Sequence, residues 1–412
     1  DVMGWLGLDD TDHLGGGCTT LAFHQLLESL PTGVQLMGDP CLVRLYPMAK
    51  GRTRGNAALS AEFQVDMAQE SWFAWLEQYW STTIGPLAGQ WTPSTHAARP
   101  QVPSDPGIVW YETKPSAVFY RMAVKGDVSL KDVPQPDWSR GGEGKIGAAA
   151  AVAWSNRATT WEGIAWRHES DDVRRLDKAA LLVLDRDERL FACRDPRKGR
   201  GLLAPRGASP VLCGIRGLER QAVADAMQTL LQAAGTETAI GQRVFSTNQG
   251  SGDHLNPPLQ SIVEKTEVIQ GGHVALQTDQ GTWLAFAPSG KVREVASHLC
   301  PGDVIQGLGL LSGKPGREGL HLEALFHLSG PLRNLRRPRC PSCHKRMKSA
   351  GKEQGLRCMG CGHRDEDRWI GDAVIPTGWV QPPLDRRRHL APDLSKGLPD
   401  GLSLRDNAPT SS

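Results

Sequence analysis

Trp5-Leu6-Gly7-Leu8-Asp9-Asp10-Thr11-Asp12 leads into Gly15-Gly16-Gly17-Cys18-Thr19-Thr20 and then Leu21-Ala22-Phe23-His24-Gln25-Leu26-Leu27. Trp5 to Leu8 is a short apolar run with the pattern of a buried strand. Three carboxylates, Asp9, Asp10 and Asp12, crowd its end. A glycine run follows, then two hydroxyls that open a segment with helical spacing. Carboxylates in hydrated positions hold Mg²⁺, which keeps waters and bridges to substrate phosphates. Glycines entering a helix N-terminus offer N–H groups to phosphate, which makes Gly15, Gly16, Gly17 and Thr20 candidate nucleotide contacts. The stretch thus predicts a metal-dependent nucleotide site at a strand–loop–helix junction. The plainer alternative is a polar turn capped by Asp and Thr.

A second motif bears on that choice. Leu42-Val43-Arg44-Leu45-Tyr46 alternates like a strand and runs into Lys50-Gly51-Arg52-Thr53-Arg54-Gly55-Asn56-Ala57. Lys50, Arg52 and Arg54 have the charge to clamp a triphosphate, with Arg54 forking onto phosphate oxygens. A solvated basic loop is the alternative, but acids and a basic clamp in one small domain favour the site.

The chain has 412 residues, enough for about two to four domains. Its many Gly and Pro residues suit β-rich modules. No apolar run approaches the length of a membrane span, and the start lacks a signal-peptide pattern. The chain begins at Asp1, so native residues are expected upstream. Nine cysteines comprise one cluster of four and five scattered ones, Cys18, Cys41, Cys193, Cys213 and Cys300. That usage predicts a reducing, cytoplasmic setting. There is no internal repeat, and the polar stretch 392–412 is expected to be disordered.

Net charge is only +2, but residues 331–364 hold ten Lys or Arg against one acid, Glu353. So local a basic patch is the footprint expected for nucleic-acid phosphates. Within it, Cys340-Pro-Ser-Cys343 and Cys358-Met-Gly-Cys361 are two CxxC pairs with fourteen residues between the inner cysteines. Two such knuckles place Cys340, Cys343, Cys358 and Cys361 around one tetrahedral Zn²⁺. A closed four-thiolate site leaves no position for water, so its role is structural. His344 and His363 flank the knuckles and are read as non-ligands.

Between these ends lie two further modules. From about residue 144 to 234 the pattern is helix, three strands and helix. Ile146 to Trp154 is the first helix, Trp161–Trp166 and Ala180–Leu184 read as strands, and Leu218 to Ala233 is an amphipathic helix. Arg216 is either a structural ion pair or a surface contact. From about residue 262 to 328, short alternating strands are divided by Gly-rich turns, and Leu299-Cys-Pro-Gly-Asp-Val304 suits a barrel corner. That module resembles an OB-fold, a common platform for single strands. His273 there is read as a structural residue.

The order of the motifs is similar to that of the archaeal tRNA(Ile) 2-agmatinylcytidine synthetase (TiaS) family. It is carried by Asp9-Asp10-Thr11-Asp12, Gly17-Cys18-Thr19-Thr20, Arg52-Thr53-Arg54-Gly55-Asn56 and Gly144-Lys145-Ile146-Gly147-Ala148-Ala149-Ala150. Ser209 to Gly217, Thr247-Asn248-Gln249-Gly250, Gly271-Gly272-His273-Val274 and the closing ribbon continue it, over about residues 4–390. Arg52 and Ala57 depart from the family's Lys and Gly, and His13 stands where a small polar residue is common.

The resemblance implies a multidomain α+β fold. Its parts are an N-terminal α/β kinase-like domain (1–135), a ferredoxin-like domain (136–258), an OB-fold β-barrel (259–330) and a C-terminal four-cysteine zinc ribbon (331–375). A partly disordered C-terminal extension (376–412) follows. The implied activity replaces the C2 oxo group of the wobble cytidine of tRNA(Ile) by agmatine, so that AUA is read as isoleucine. The implied partners are tRNA(Ile), agmatine, ATP, Mg²⁺ and Zn²⁺, with no membrane and no obligate protein partner. Thr19 matches a threonine that becomes phosphorylated. Asp9, Asp10 and Asp12 match the catalytic acids, one of them a general base. Lys50, Arg52, Arg54 and Asn56 match nucleotide contacts. Arg333, Arg336, Arg337, Lys345, Arg346 and Lys348 would grip RNA. A non-catalytic RNA-binding protein and a different ATP-dependent RNA phosphotransferase are the competing readings.

Overall fold

The computed structural model describes residues 2–49, 56–93, 101–155, 160–168, 173–195, 199, 201–205, 207–313, 318–372, 378–391, 393–398 and 402. The chain divides into two compact units: residues 1–256 with 384–393 and 398–412, and residues 257–383 with 394–397. None of the described helices is long and apolar enough to cross a membrane.

The first unit is built on one nine-stranded sheet. Its first part holds β1 (Val2–Asp9), β2 (Val34–Arg44), β3 (Ala57–Val65), β4 (Gly107–Tyr111) and β5 (Trp138–Gly141), with helices α1 (Thr19–Glu28), α2 (Gln69–Tyr79), α3 (Ala117–Lys125) and α4 (Gly144–Ala153). Its second part holds β6 (Thr160–Trp166), α5 (Lys178–Leu184), β7 (Leu190–Phe191), β8 (Val211–Gly217), α6 (Arg220–Gln232) and β9 (Gly241–Thr247). Strand order is β5-β4-β1-β3-β2-β9-β6-β8-β7. The parts join where β2 runs parallel to β9, pairing Cys41 with Ser246 and Leu42 with Thr247. Within the second part, the connection strand–helix–strand–strand–helix–strand gives the order fourth-first-third-second.

Each face of the sheet has its own core. On one, Phe23 and Leu26 of α1 pack with Leu6, Leu8, Phe63, Trp72 and Trp110, and with Trp166 and Phe245 from beyond the junction. Helix α1 therefore bridges both parts, and the His24 ring stacks on Trp166 at 4.7 Å. On the other face, the alanines of α4 pack with Val43, Ala58, Val109, Phe119 and Tyr120. Alanines let the α4 backbone come close to the sheet. A Cβ at Gly7 would stand 2.3 Å from the Ala148 carbonyl oxygen, so β1 and α4 meet through a residue without a side chain.

One expectation of local structure is corrected. Ala180–Leu184 is not a strand but most of α5, whose N-cap Asp177 accepts a hydrogen bond from Ala180 N at 2.8 Å. A short apolar run carries no period that separates strand from helix; the cap decides it. Of the polar stretch 392–412, Leu394 and Leu402 are buried, and residues 392, 399–401 and 403–412 lie outside the described residues.

The second unit holds β10 (Leu259–Ile269), β11 (His273–Thr278), β12 (Gly281–Ala285), α7 (Lys291–Ala296), β13 (Val304–Ser312) and β14 (Gly319–Ser329). They run in the order β12-β11-β10-β13-β14, and β12 pairs in parallel with β14 through Trp283–Leu320 and Leu284–His321. That pairing closes a five-stranded barrel with a helix between its third and fourth strands. Val263, Val274, Leu276, Trp283, Ile305 and Leu325 fill it. His273 is satisfied structurally, its Nδ1 accepting from Ala287 N at 2.9 Å. At the corner, the fully buried Asp303 carboxylate accepts from Cys300 N at 2.7 Å and pairs with His327 and Arg333. A small C-terminal module of three two-residue strands, Lys348–Ser349, Leu356–Arg357 and Arg364–Asp365, follows.

Candidate active site

The first unit encloses a cavity of about 600 Å³. Asp9, Asp10, Asp12 and Thr19 line it, as do Arg44 at the end of β2 and Arg216 of β8 from across the sheet junction. The predicted acids and hydroxyl thus share one cavity. Thr19 is the first residue of α1, and it is 6% exposed. Its Oγ1 accepts from Thr11 N at 3.3 Å and Thr11 Oγ1 at 3.2 Å, and it donates to Asp12 Oδ1 at 3.5 Å. With the carboxylate 3.5 Å away, the hydroxyl at this helix start makes a long contact that a shorter approach would turn into a nucleophile beside its base.

The other two acids are held differently. Asp9 Oδ1 accepts from Asp10 N at 2.7 Å, and Asp10, with φ +60°, has Oδ2 accepting from Asp105 N at 3.0 Å. Burial raises the Asp9 carboxyl to about 7, helped by the charge of Asp12. Burial and the neighbouring Asp9 raise Asp10 to about 8. Anionic charge is therefore costly at this strand end, and a cation or a proton relieves it. Helix α4 fixes the position of Asp9: a Cβ at Gly147 would sit 1.8 Å from Asp9 Oδ2. Gly147→Ala is expected to displace that carboxylate and lower turnover at least about 10²-fold, with a much smaller change in melting temperature. Steady-state turnover beside a thermal melt checks it.

The remaining predicted contacts separate. Gly17 lines the cavity with φ +70°, whereas Gly15 and Gly16 belong to a turn closed by the His13–Gly16 pair and are not in its wall. Thr20 lines the cavity but caps nothing: α1 has Cys18 at its N-cap without a side-chain bond, and Thr20 Oγ1 accepts from Trp166 Nε1 at 3.1 Å. Asn56 lines the cavity and donates to the Tyr46 carbonyl at 2.9 Å. Lys50, Arg52 and Arg54 lie outside the described residues.

The sequence motifs assign no site role to Arg44, Glu162 and Gln249. Glu162 Oε1 pairs with Arg216 at 3.2 Å, and Oε2 pairs with Arg44 at 3.5 Å and accepts from Gln249 Nε2 at 2.7 Å. Arg216 is thus an ion pair and a cavity residue at once. The available signal was the Thr247–Gly250 motif, whose Gln249 meets Glu162 only after the chain has crossed the sheet.

In the second unit the ligand atoms of Cys340, Cys343, Cys358 and Cys361 all lie within 4.8 Å of one another. Among the described residues it is the only such cluster of three or more His, Cys, Asp or Glu. The N–H groups of Cys361 and Gly360 point at the Cys358 thiol and lower it, favouring thiolate there, whereas its neighbours raise Cys361. The set fits Zn²⁺ in charge and softness. Neither His344 nor His363 belongs to it. In the basic patch, Lys345, Arg346 and Lys348 are exposed. Arg333 is instead tied to Asp303, Arg336 Nη1 donates to Asn334 O at 3.4 Å, and Arg337 pairs with Asp367 while lying 4.0 Å over the Trp369 ring.

Models of known families match at three places: the TiaS TCKD domain over residues 5–136, the TiaS FLD domain over 142–254 and the TiaS C-terminal zinc ribbon domain over 337–371. The tRNA(Ile) 2-agmatinylcytidine synthetase TiaS of Methanopyrus kandleri is 30% identical, the match covering 94% of this chain and 96% of that protein. The crystal structure of apo TiaS matches with a TM-score of 0.73 at 26% identity, over 95% of this chain and 97% of that one. The crystal structure of a TiaS–tRNA(Ile)–ATP complex matches with a TM-score of 0.74 at 25% identity, over 97% and 99%.

Proposed function

Because this chain belongs to the TiaS family of tRNA(Ile) 2-agmatinylcytidine synthetases, we propose that it uses ATP to replace the C2 oxygen of the wobble cytidine of tRNA(Ile) with agmatine. The observation that carries this reading to particular residues is the Thr19 hydroxyl, bonded to Asp12 in the cavity that also holds Asp9 and Asp10. The C2 oxygen of cytosine is a poor leaving group. Phosphorylating it forms an O–P bond at the expense of a phosphoanhydride bond of ATP. The primary amine of agmatine then attacks C2, the C–O bond breaks, and phosphate departs as the amine loses its proton.

Thr19 is the residue that takes a phosphoryl group from ATP, its O–P bond forming as a phosphoanhydride bond breaks and the nucleoside diphosphate leaves, with Asp12 receiving the hydroxyl proton. Asp9, Asp10 and Asp12 are the residues that would hold Mg²⁺; the raised carboxyls of the first two suit a divalent cation, although the three carboxylates do not converge as the four thiols do. When bound, it neutralises phosphate charge. Gly17, Thr20 and Asn56, together with Lys50, Arg52 and Arg54, are the nucleotide contacts of this reading. Residues 1–135 form the kinase-like part. The order fourth-first-third-second of β9, β6, β8 and β7 supports a ferredoxin-like domain across 136–258, and the closed barrel with its helix supports an OB-fold across 259–330. Both the barrel and the exposed cations of the ribbon suit RNA, and the setting is the cytoplasm, where tRNA is modified.

The deciding experiment incubates the protein with tRNA(Ile), ATP and agmatine and analyses the nucleosides by mass spectrometry. Agmatinylated cytidine, dependent on ATP, is the expected product. Unmodified cytidine with intact tRNA binding would make this an RNA-binding protein, and phosphorylated nucleoside alone would make it a phosphotransferase.

The carboxyls give a further expected outcome. Asp9 and Asp10 move from 3.8 in model compounds to about 7 and about 8 here. The folded state therefore keeps protons that the unfolded chain releases, so their contribution to stability is present below pH about 4 and lost as pH rises toward about 8. Without divalent cations the melting temperature should fall across that window, and Mg²⁺ should restore it most at the alkaline end. A Mg²⁺ effect of equal size at pH about 5 and about 8.5 would place the metal elsewhere.

A further inference from the structure

Helix α1 carries Thr19, yet it starts without a strong cap of its own. Cys18 stands at its N-cap and makes no capping side-chain hydrogen bond, and the first turn holds no acid. Contacts from elsewhere therefore locate the start of the helix. Thr11 supplies one set, through the Thr19 hydroxyl itself. The other set comes from the second part of the sheet. It meets Thr20, His24 and Glu28, which are spaced four apart and so lie on one face of the helix.

At Thr20, Trp166 Nε1 donates to Oγ1 at 3.1 Å, and both residues are buried. The same Oγ1 lies 2.9 Å from Cys18 Sγ, so the residues on either side of Thr19 are tied together. At His24, the ring stacks on Trp166 with an interplanar angle of 17°. His24 Nδ1 accepts from Arg243 Nε at 3.0 Å, and Arg243 Nη2 reaches Glu28 Oε1 at 2.5 Å. Trp166 belongs to β6 and Arg243 to β9. The register sets Trp166 against Gly241 and Ile164 against Arg243, so both side chains leave the same face of the sheet. Gly241 makes room for the helix, since a Cβ there would stand 2.8 Å from His24 Nε2.

We propose that Trp166 is a positioning residue for Thr19, acting through Thr20, with His24 and Arg243 holding the same helix face. The proposal rests on the reading of Thr19 as the phosphoacceptor. Trp166 is not in the cavity wall, so it works only by fixing where α1 begins. The Thr19 hydroxyl stands 3.5 Å from Asp12 Oδ1, and a displacement of about 0.5 Å decides whether it reaches its base. Phosphoryl transfer in the first part of the sheet then depends on a side chain of the second.

The test follows transfer of label from γ-labelled ATP to the full chain in a single turnover at saturating ATP, beside ATP affinity and a thermal melt. Trp166→Phe keeps an aromatic ring in the core but loses the Nε1–H. Labelling should slow at least about tenfold while the dissociation constant for ATP stays within about twofold. Thr20→Val removes the acceptor of the same bond and should slow labelling as much, and it serves alone if Trp166→Phe fails to melt cooperatively. The two substitutions break one bond, so the double variant should be no slower than the slower single one. Losses that multiply, or a wild-type labelling rate in either single variant, would overturn the proposal and leave Trp166 a core residue only. A wild-type protein that takes no label, or label that persists in Thr19→Ala, refutes the phosphoacceptor reading and the proposal with it, a result distinct from any of these.

Discussion

Thr19→Ala is expected to abolish agmatine incorporation while leaving the protein folded. The hydroxyl sits at the first residue of α1, takes two hydrogen bonds from Thr11 and gives one toward Asp12. Removing it leaves the Thr11 N–H and O–H without that acceptor, at a cost of about 1–3 kcal/mol. A domain with about 5–15 kcal/mol of stability survives that loss. Catalysis should not survive, because no neighbouring hydroxyl substitutes. Thr20 Oγ1 is engaged by Trp166 Nε1 and lies 2.9 Å from Cys18 Sγ, and Thr11 points its hydroxyl at Thr19 rather than at the acids. Thr19→Ser should recover a measurable fraction of activity. The measurement is transfer of label from γ-labelled ATP to protein, beside nucleoside analysis and a thermal melt. Wild-type labelling of Thr19→Ala would move the phosphoacceptor elsewhere and sink the assignment.

The same residues show why part of this site could be read from sequence and part could not. Asp9, Asp10, Asp12 and Thr19 fall within eleven residues, so a strand, a turn and a helix start bring them together through local geometry alone. Spacing carries that kind of information. Arg44, Glu162, Arg216 and Gln249 come from four segments between positions 44 and 249 and meet only because β2 pairs with β9 and β6 with β8. No local pattern encodes a strand order. The zinc ligands show the same division: two CxxC knuckles are local, and closing them needs only a short hairpin. The barrel strands were readable from alternation and turns, but its closure was not, since the β12–β14 pairing depends on chain direction across more than thirty residues. The helix Lys178–Leu184 was missed because seven residues are too few for periodicity and Asp177 had to be recognised as its cap. The charge count found the basic patch but not its pairing: Arg333 and Arg337 each have an acid that lies about thirty residues away in sequence.

That pairing shapes the second large effect, which is at the other end of the chain. Cys340→Ser should disrupt the ribbon, because three thiolates and a weak hydroxyl ligand do not close a stable tetrahedral zinc site. The module has little else to hold it. Its core is Met347 and Leu356 packed among the cysteines themselves, and its strands are two residues long. The cavity belongs to the first unit with its own cores, so ATP binding should persist. Affinity for tRNA should fall instead, and the slope of log K against log salt should flatten by about 0.9 for each phosphate that the ribbon no longer neutralises. Lys345→Glu with Lys348→Glu should reproduce the loss without releasing zinc, since both side chains are exposed. Arg337→Glu is a poorer probe. Its guanidinium pairs with Asp367 and lies over Trp369, so reversal there damages the module as well as its charge. The measurement is tRNA binding across a salt series, with ATP binding and zinc content in parallel. Unchanged tRNA affinity and slope in the zinc-free variant would exclude the ribbon as the RNA grip and shift that role to the barrel.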